Sequence, residues 1–125
     1  MNKLAVLCVG AVAAAGALAL AGGGAAKPER VGYFKSAAGN RVMAYVAPDG
    51  MTEKQARDTL SGLMHTPGRL TFAVIYEPGR KHPGSRLTGA SDYFTAAAML
   101  DQPPFDNWTW GAVVNIAGHV QLQEK

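Results

Sequence analysis

The sequence predicts a single small α+β domain of element order β-β-α-β-α-β-β behind an N-terminal hydrophobic leader. The sheet is expected to be mostly antiparallel, with two helices on one face. Three observations carry this prediction. In residues 1–26 only Asn2 and Lys3 are polar side chains, whereas all ten aromatic residues fall within 27–125. The 99 residues after the leader suffice for one hydrophobic core and exclude a multidomain enzyme. Within them, short runs rich in Val, Tyr, Phe and Ile alternate with two stretches of helical character.

The leader has three parts. Met1-Asn2-Lys3 is a short positive start, Leu4 to Ala21 is apolar, and Gly22-Gly23-Gly24-Ala25-Ala26 supplies small residues before Lys27. This is the layout of a secretory signal peptide, with cleavage expected after Ala26 and a periplasmic or secreted product. The competing expectation is an uncleaved anchor, because Leu4 to Ala26 exceeds the roughly 20 residues that span a bilayer. Its Ala and Gly content argues against that, since Leu, Ile, Phe and Val drive insertion. Cys8 does not read as a lipidation site, because bulky Leu7 precedes it. It is the only cysteine, so the mature chain would have none. A thiol nucleophile, thiolate metal sites and a disulfide framework are then excluded.

The elements follow in order. Val31 to Lys35 and Arg41 to Ala47 are β-rich and separated by the turn residues Ser36 to Asn40, which predicts a hairpin. In the second run Val42/Ala44/Val46 and Met43/Tyr45/Ala47 are both apolar, as expected of an interior strand covered on both sides. Pro48-Asp49-Gly50 ends it. A helix begins at Thr52, where Thr52 and Gln55 form a capping box and Met51 can staple onto Ala56. Its apolar stripe is Ala56, Leu60, Leu63 and Met64, and it stops before Pro67-Gly68. Arg69 to Tyr76 is the next strand, completing a candidate β-α-β unit. Ser91 is the expected cap of a second helix, from Asp92 to about Asp101, ended by Pro103-Pro104.

From Trp108 to Gln123 polar and apolar residues alternate. A straight strand of that length would run about 54 Å at ~3.4 Å per residue, against a gyration radius near ~13 Å for such a domain. It must fold back. A three-residue loop, Ile116-Ala117-Gly118, pairs Asn115 with His119, Val114 with Val120 and Ala112 with Leu122, and puts Gly118 at the left-handed bulge position. In this reading Trp108 and Trp110 share a face, which makes them large core anchors in line with Val114 and Leu122, or a binding platform if that face is exposed. Trp108, near the strand start, is the more exposed of the two and the candidate binding residue.

The segment Glu77 to Gly89 has no periodicity, and thirteen such residues is long for a compact domain. It holds Arg80, Lys81 and Arg86 against Glu77, a net of +2, while the rest of the mature chain has 8 basic and 8 acidic residues. Two Pro-Gly turns can present Arg80, Lys81, His82 and Arg86 to an anion. The same composition also suits a solvated connector.

No phosphate-loop, dinucleotide, His-Glu-x-x-His or Gly-x-Ser-x-Gly motif occurs. The spacing of His65, His82 and His119 matches no metal motif, so neither a metal nor a cofactor is expected. Export and the small net charge argue against nucleic acid. The leading expectation is a non-catalytic cell-envelope binding module. It would contact an anionic ligand or an envelope protein through the basic loop and Trp108. One alternative is a small hydrolase or transferase on an anionic envelope substrate, with Arg80 and Arg86 as a clamp and His119 or His82 as general base. Another is a membrane-anchored subunit of an envelope assembly, with membrane contact only if the leader is retained.

Overall fold

Two hairpins and a crossover helix account for the sheet. In a computed structural model, which describes residues 27–125, β1 (Glu29–Lys35) and β2 (Arg41–Val46) pair antiparallel with Lys35 opposite Arg41. The leader assignment, residues 1–26, lies outside the described residues. Helix α1 (Glu53–Ser61) begins with the expected capping box. The Gln55 N–H donates to Thr52 Oγ1 at 3.2 Å, and the Thr52 N–H donates to Gln55 Oε1 at 2.9 Å. Gly62 caps its C-terminus, so the helix closes before the end of the predicted stripe and leaves Met64 exposed. Strand β3 (Thr71–Tyr76) lies parallel to β2, with Val42 opposite Phe72, which makes β2-α1-β3 a β-α-β unit.

A single 3-10 turn (Gly84–Gly89) and α2 (Tyr93–Met99) then lead to β4 (Trp110–Val114) and β5 (Val120–Glu124). Asp92, not Ser91, caps α2. Its carboxylate accepts the Thr95 N–H at 2.7 Å, and this bond holds the Asp92 carboxyl below its ordinary value. The final hairpin has the expected register. Val114 faces Val120, Ala112 faces Leu122, the Asn115 N–H donates to His119 O at 3.0 Å, and Gly118 has φ +87°.

The five strands of the described residues lie in sequence order, β1-β2-β3-β4-β5, and among their pairings only β2–β3 is parallel. The expectation of two helices on one face is corrected. Ala56 and Leu60 of α1 pack with Met43, Ala73, Ile75, Trp110 and Ala112, whereas Ala96 and Leu100 beside α2 pack with Val42, Ala44, Phe72, Val74 and Tyr76. The two sets are opposite parities of the same strands, so the helices cover opposite faces. The reason is in the central strands themselves. Val42 to Ala44 and all of β3 are buried, so both faces carry apolar side chains that must leave water.

The two tryptophans also part company. Strand β4 starts at Trp110, on the α1 face, while Trp108 precedes the strand and folds onto the α2 face. Its indole N–H donates to Leu100 O at 2.9 Å, and its ring packs edge-on to Phe72. Gly111 makes room for it. A Cβ there would stand 3.0 Å from the Trp108 ring and 3.3 Å from Ala73 O. Trp108 is therefore 4% exposed, as the core reading expects, and the alternative that it is an exposed binding residue is corrected. With Phe105 it forms an apolar floor beside the basic loop.

Candidate functional site

The segment between β3 and α2 is fixed at several points along its length. Its 3-10 turn buries Leu87 completely in the α2-side core. The Thr88 hydroxyl donates to Tyr33 O of β1 at 2.6 Å. Gly32 allows this approach, because a Cβ on it would stand 2.9 Å from Gly84 O. Upstream, the half-buried His82 ring leans on the Tyr76 ring with centroids 6.0 Å apart. Apolar burial, one hydrogen bond and a ring contact thus turn a sequence without periodicity into a defined path.

That path brings two of the predicted cations, Arg80 and Arg86, to one strip of chain, Phe105 to Asn107. Arg80 Nη1 reaches Asn107 O at 3.5 Å and pairs with Glu77 at 3.5 Å. The Arg86 guanidinium lies over the Phe105 ring, 5.8 Å from its centroid. Lys81 is exposed and has no ion pair among the described residues. Lys125 joins them, a residue that the sequence reading missed. Its Nζ donates to Asp106 O at 2.7 Å and sits 4.4 Å from the Trp108 ring centroid. Four cations, Arg80, Lys81, Arg86 and Lys125, thus stand against Glu77 and Asp106, a local net of +2. His82 Nδ1 and Asn107 Oδ1 in the same frame are buried and have no protein partner among the described residues.

Tyr76 holds this frame from beneath. It is fully buried, its hydroxyl donates to Phe105 O at 2.6 Å, and burial, assisted by the Asp106 charge, pushes its phenol well above the ordinary range. A phenol whose pKa is raised on folding contributes stability that is intact below its unfolded value near ~10 and is lost above it, by about 1.4 kcal/mol per pH unit. Burial also raises Tyr45 and Tyr93. Unfolding free energy is therefore expected to fall steeply above about pH 10. Tyr76→Phe should flatten part of that fall, while lowering neutral-pH stability by about 1–2 kcal/mol because Phe105 O loses its donor. Chemical denaturation across this range checks both effects.

Comparison of the chain with family models, curated proteins and solved structures finds no match. Function has to be argued from geometry.

Other chemistry is sparse among the described residues. No group of three or more His, Cys, Asp or Glu side chains is placed to hold a metal. No described helix is long and apolar enough to cross a membrane. Among the described residues the side chains of His82 and His119 make no hydrogen bond to a Ser, Asp or Tyr. An open cavity of about 350 Å³ lies at the carboxyl ends of the parallel strands β2 and β3, lined by Asp49, Met51, Glu77 and Trp110 among others. Glu77 there faces Arg80, which ties the cavity to the edge of the basic loop.

At the opposite end of the sheet the charges are segregated in a way that a count hides. Lys35, Arg41, His65, Arg69 and His119 gather there, and the connections 36–40, 62–70 and 115–119 contain no carboxylate. Lys35, Arg41 and Thr71 stand opposite one another across three strands. Arg41 is 9% exposed, and its Nε and Nη1, like Thr71 Oγ1, have no hydrogen-bond partner among the described residues. A buried guanidinium without a counter-charge is costly. Arg41→Met is accordingly expected to stabilise the domain by about 1–2 kcal/mol, measured by urea denaturation.

Proposed function

We propose that the protein is a small exported binding module of the cell envelope that engages an anionic ligand or an acidic partner surface through Arg80, Lys81 and Arg86. The observation that supports this reading most strongly is the anchoring of the loop by Leu87 and Thr88, with two of its cations drawn to the Phe105–Asn107 strip. A flexible connector needs no buried leucine, whereas a recognition loop gains from having its ordering entropy settled before binding. His82 adds an imidazole to the same surface, and Lys125 extends it. Trp108 contributes beneath it, as a packed support for the strip and for Lys125 rather than as a stacking platform. The binding role needs no cofactor and no nucleic acid.

The envelope location is supported by the leader alone. Mass spectrometry of the protein recovered from cells is expected to give a mature N-terminus at Lys27. An intact Met1 terminus in the membrane fraction would instead favour the anchored-subunit reading. For the binding role, the Arg80→Ala/Lys81→Ala/Arg86→Ala triple variant should fail to capture envelope components that the parent protein retains. Unchanged capture would remove the loop from the account.

A further inference from the structure

The two edges of the sheet are treated differently. Strand β1 is protected. It carries Glu29, Arg30 and Lys35, a bulge interrupts it between Arg30 and Gly32, and the Thr88 hydroxyl occupies the Tyr33 carbonyl. These are the devices by which natural edges avoid pairing. Strand β5 has none of them through Gln123. Val120-Gln121-Leu122-Gln123 is uncharged, lacks Pro, and is exposed along its whole length. Its apolar residues are not isolated either. Of the five exposed large apolar side chains, Val120, Leu122 and Ile116 belong to this hairpin. Met64 is the neighbour of His65, whose Nε2 lies 3.7 Å from the Cβ position of Gly118.

The hydrogen bonds of the hairpin show which backbone groups are free. The Asn115 N–H donates to His119 O and the Lys125 N–H to Thr109 O, while Val113 faces Gln121 and Gly111 faces Gln123. His119, Gln121, Gln123 and Lys125 therefore turn their backbone groups toward β4. Val120, Leu122 and Glu124 turn theirs outward, unpaired among the described residues. We infer that this edge pairs with β5 of a second copy of the chain, antiparallel across a two-fold axis at Gln121, to make a continuous sheet.

The sequence of the edge is self-complementary in that register. Val120 meets the partner's Leu122 in both halves, each pair exchanging N–H and C=O groups, and Gln121 meets the partner's Gln121 on the axis. The partner's Glu124 falls at the 115–119 turn, at the end of the sheet whose connections carry no carboxylate and where His65 Nε2 lies 3.7 Å from the Gly118 Cβ position. Among the described residues of its own chain Glu124 has only a 3.9 Å ion-pair contact, to Arg57. Centring the axis on Leu122 would instead set Val120 against the partner's Glu124 and forfeit both matches. Charge complementarity and apolar matching thus select the same register, and they select a second copy as occupant.

The test uses cysteine chemistry, since Cys8 is the only native cysteine. In a Cys8→Ser background, Gln121→Cys is expected to cross-link under mild oxidation. A non-hydrogen-bonded antiparallel pair brings the two Cα atoms to about 4.5 Å, within disulfide range. Gln123→Cys, whose two copies lie four residues apart along the paired strands, should stay uncross-linked. Sedimentation at roughly 100 µM should give a dimer for the parent and a monomer for Val120→Lys/Leu122→Lys, with unchanged circular dichroism. A parent that sediments as a monomer overturns the inference. So does equal cross-linking at both positions, or a β5 edge that pairs only with another protein.

Discussion

Leu87→Ala is expected to lower the stability of the domain by about 2–5 kcal/mol and to release the basic loop. Leu87 is fully buried although it comes from the segment that looked least structured, and it packs among Phe34, Val42, Val74 and their neighbours in the α2-side core. Truncation removes apolar burial and leaves a cavity under the only buried side chain of the 3-10 turn. For a domain of this size the melting temperature should drop by roughly 10–25 °C. The loop itself supplies a second readout, because Arg80, Lys81 and Arg86 are all trypsin sites. Limited trypsin treatment should cut the Leu87→Ala variant within 80–86 well before the parent. Equal cutting of both would show that the loop is not held by this side chain.

Removing the loop cations is expected to weaken binding strongly while leaving the fold intact. Exposed charges of this kind contribute about 0.5–1 kcal/mol each to a contact. The Arg80→Ala/Lys81→Ala/Arg86→Ala variant should therefore bind immobilised heparin, used as a model polyanion, roughly 10- to 100-fold more weakly. Arg80 has weak 3.5 Å contacts to Glu77 and Asn107 O, so its loss costs the fold little. A charge-matched control separates site from net charge. Lys27→Ala/Lys35→Ala/Lys54→Ala removes the same number of charges from exposed positions elsewhere. It should retain most of the affinity, and equal losses would reduce the effect to bulk electrostatics.

Much of the fold was legible because local rules and tertiary structure agree. Thr52 and Gln55 mark the start of α1 by a reciprocal bond that needs no distant partner. The β4–β5 register follows from side-chain parity and from Gly118, whose φ of +87° few other residues tolerate. What was not legible depends on contacts far apart in sequence. The opposite placement of the helices follows from β3, whose second parity, Thr71, Ala73 and Ile75, is as buried as the first. Extending strand parity back to Trp108 failed because β4 begins two residues later. The available signal was Gly111, a glycine inside a strand, which marked the close approach of the indole. In the loop, composition identified the cations, but Leu87 gave no periodic sign of its anchoring role. Lys125 was invisible because its partners, Asp106 O and the Trp108 ring, lie 17 to 19 residues away.

The proposed function requires a pre-formed basic surface at 80–86 and 105–107 that receives an anion. Backbone amide chemical shifts, followed by NMR while a short heparin oligosaccharide is added, test it most directly. The perturbed amides should cluster at Arg80 to Thr88, Asp106 to Trp108 and Lys125, with the amides of β1 and β2 little changed. Perturbations centred instead on Lys35, Arg41 and Arg69, or spread evenly over the exposed lysines, would contradict the account.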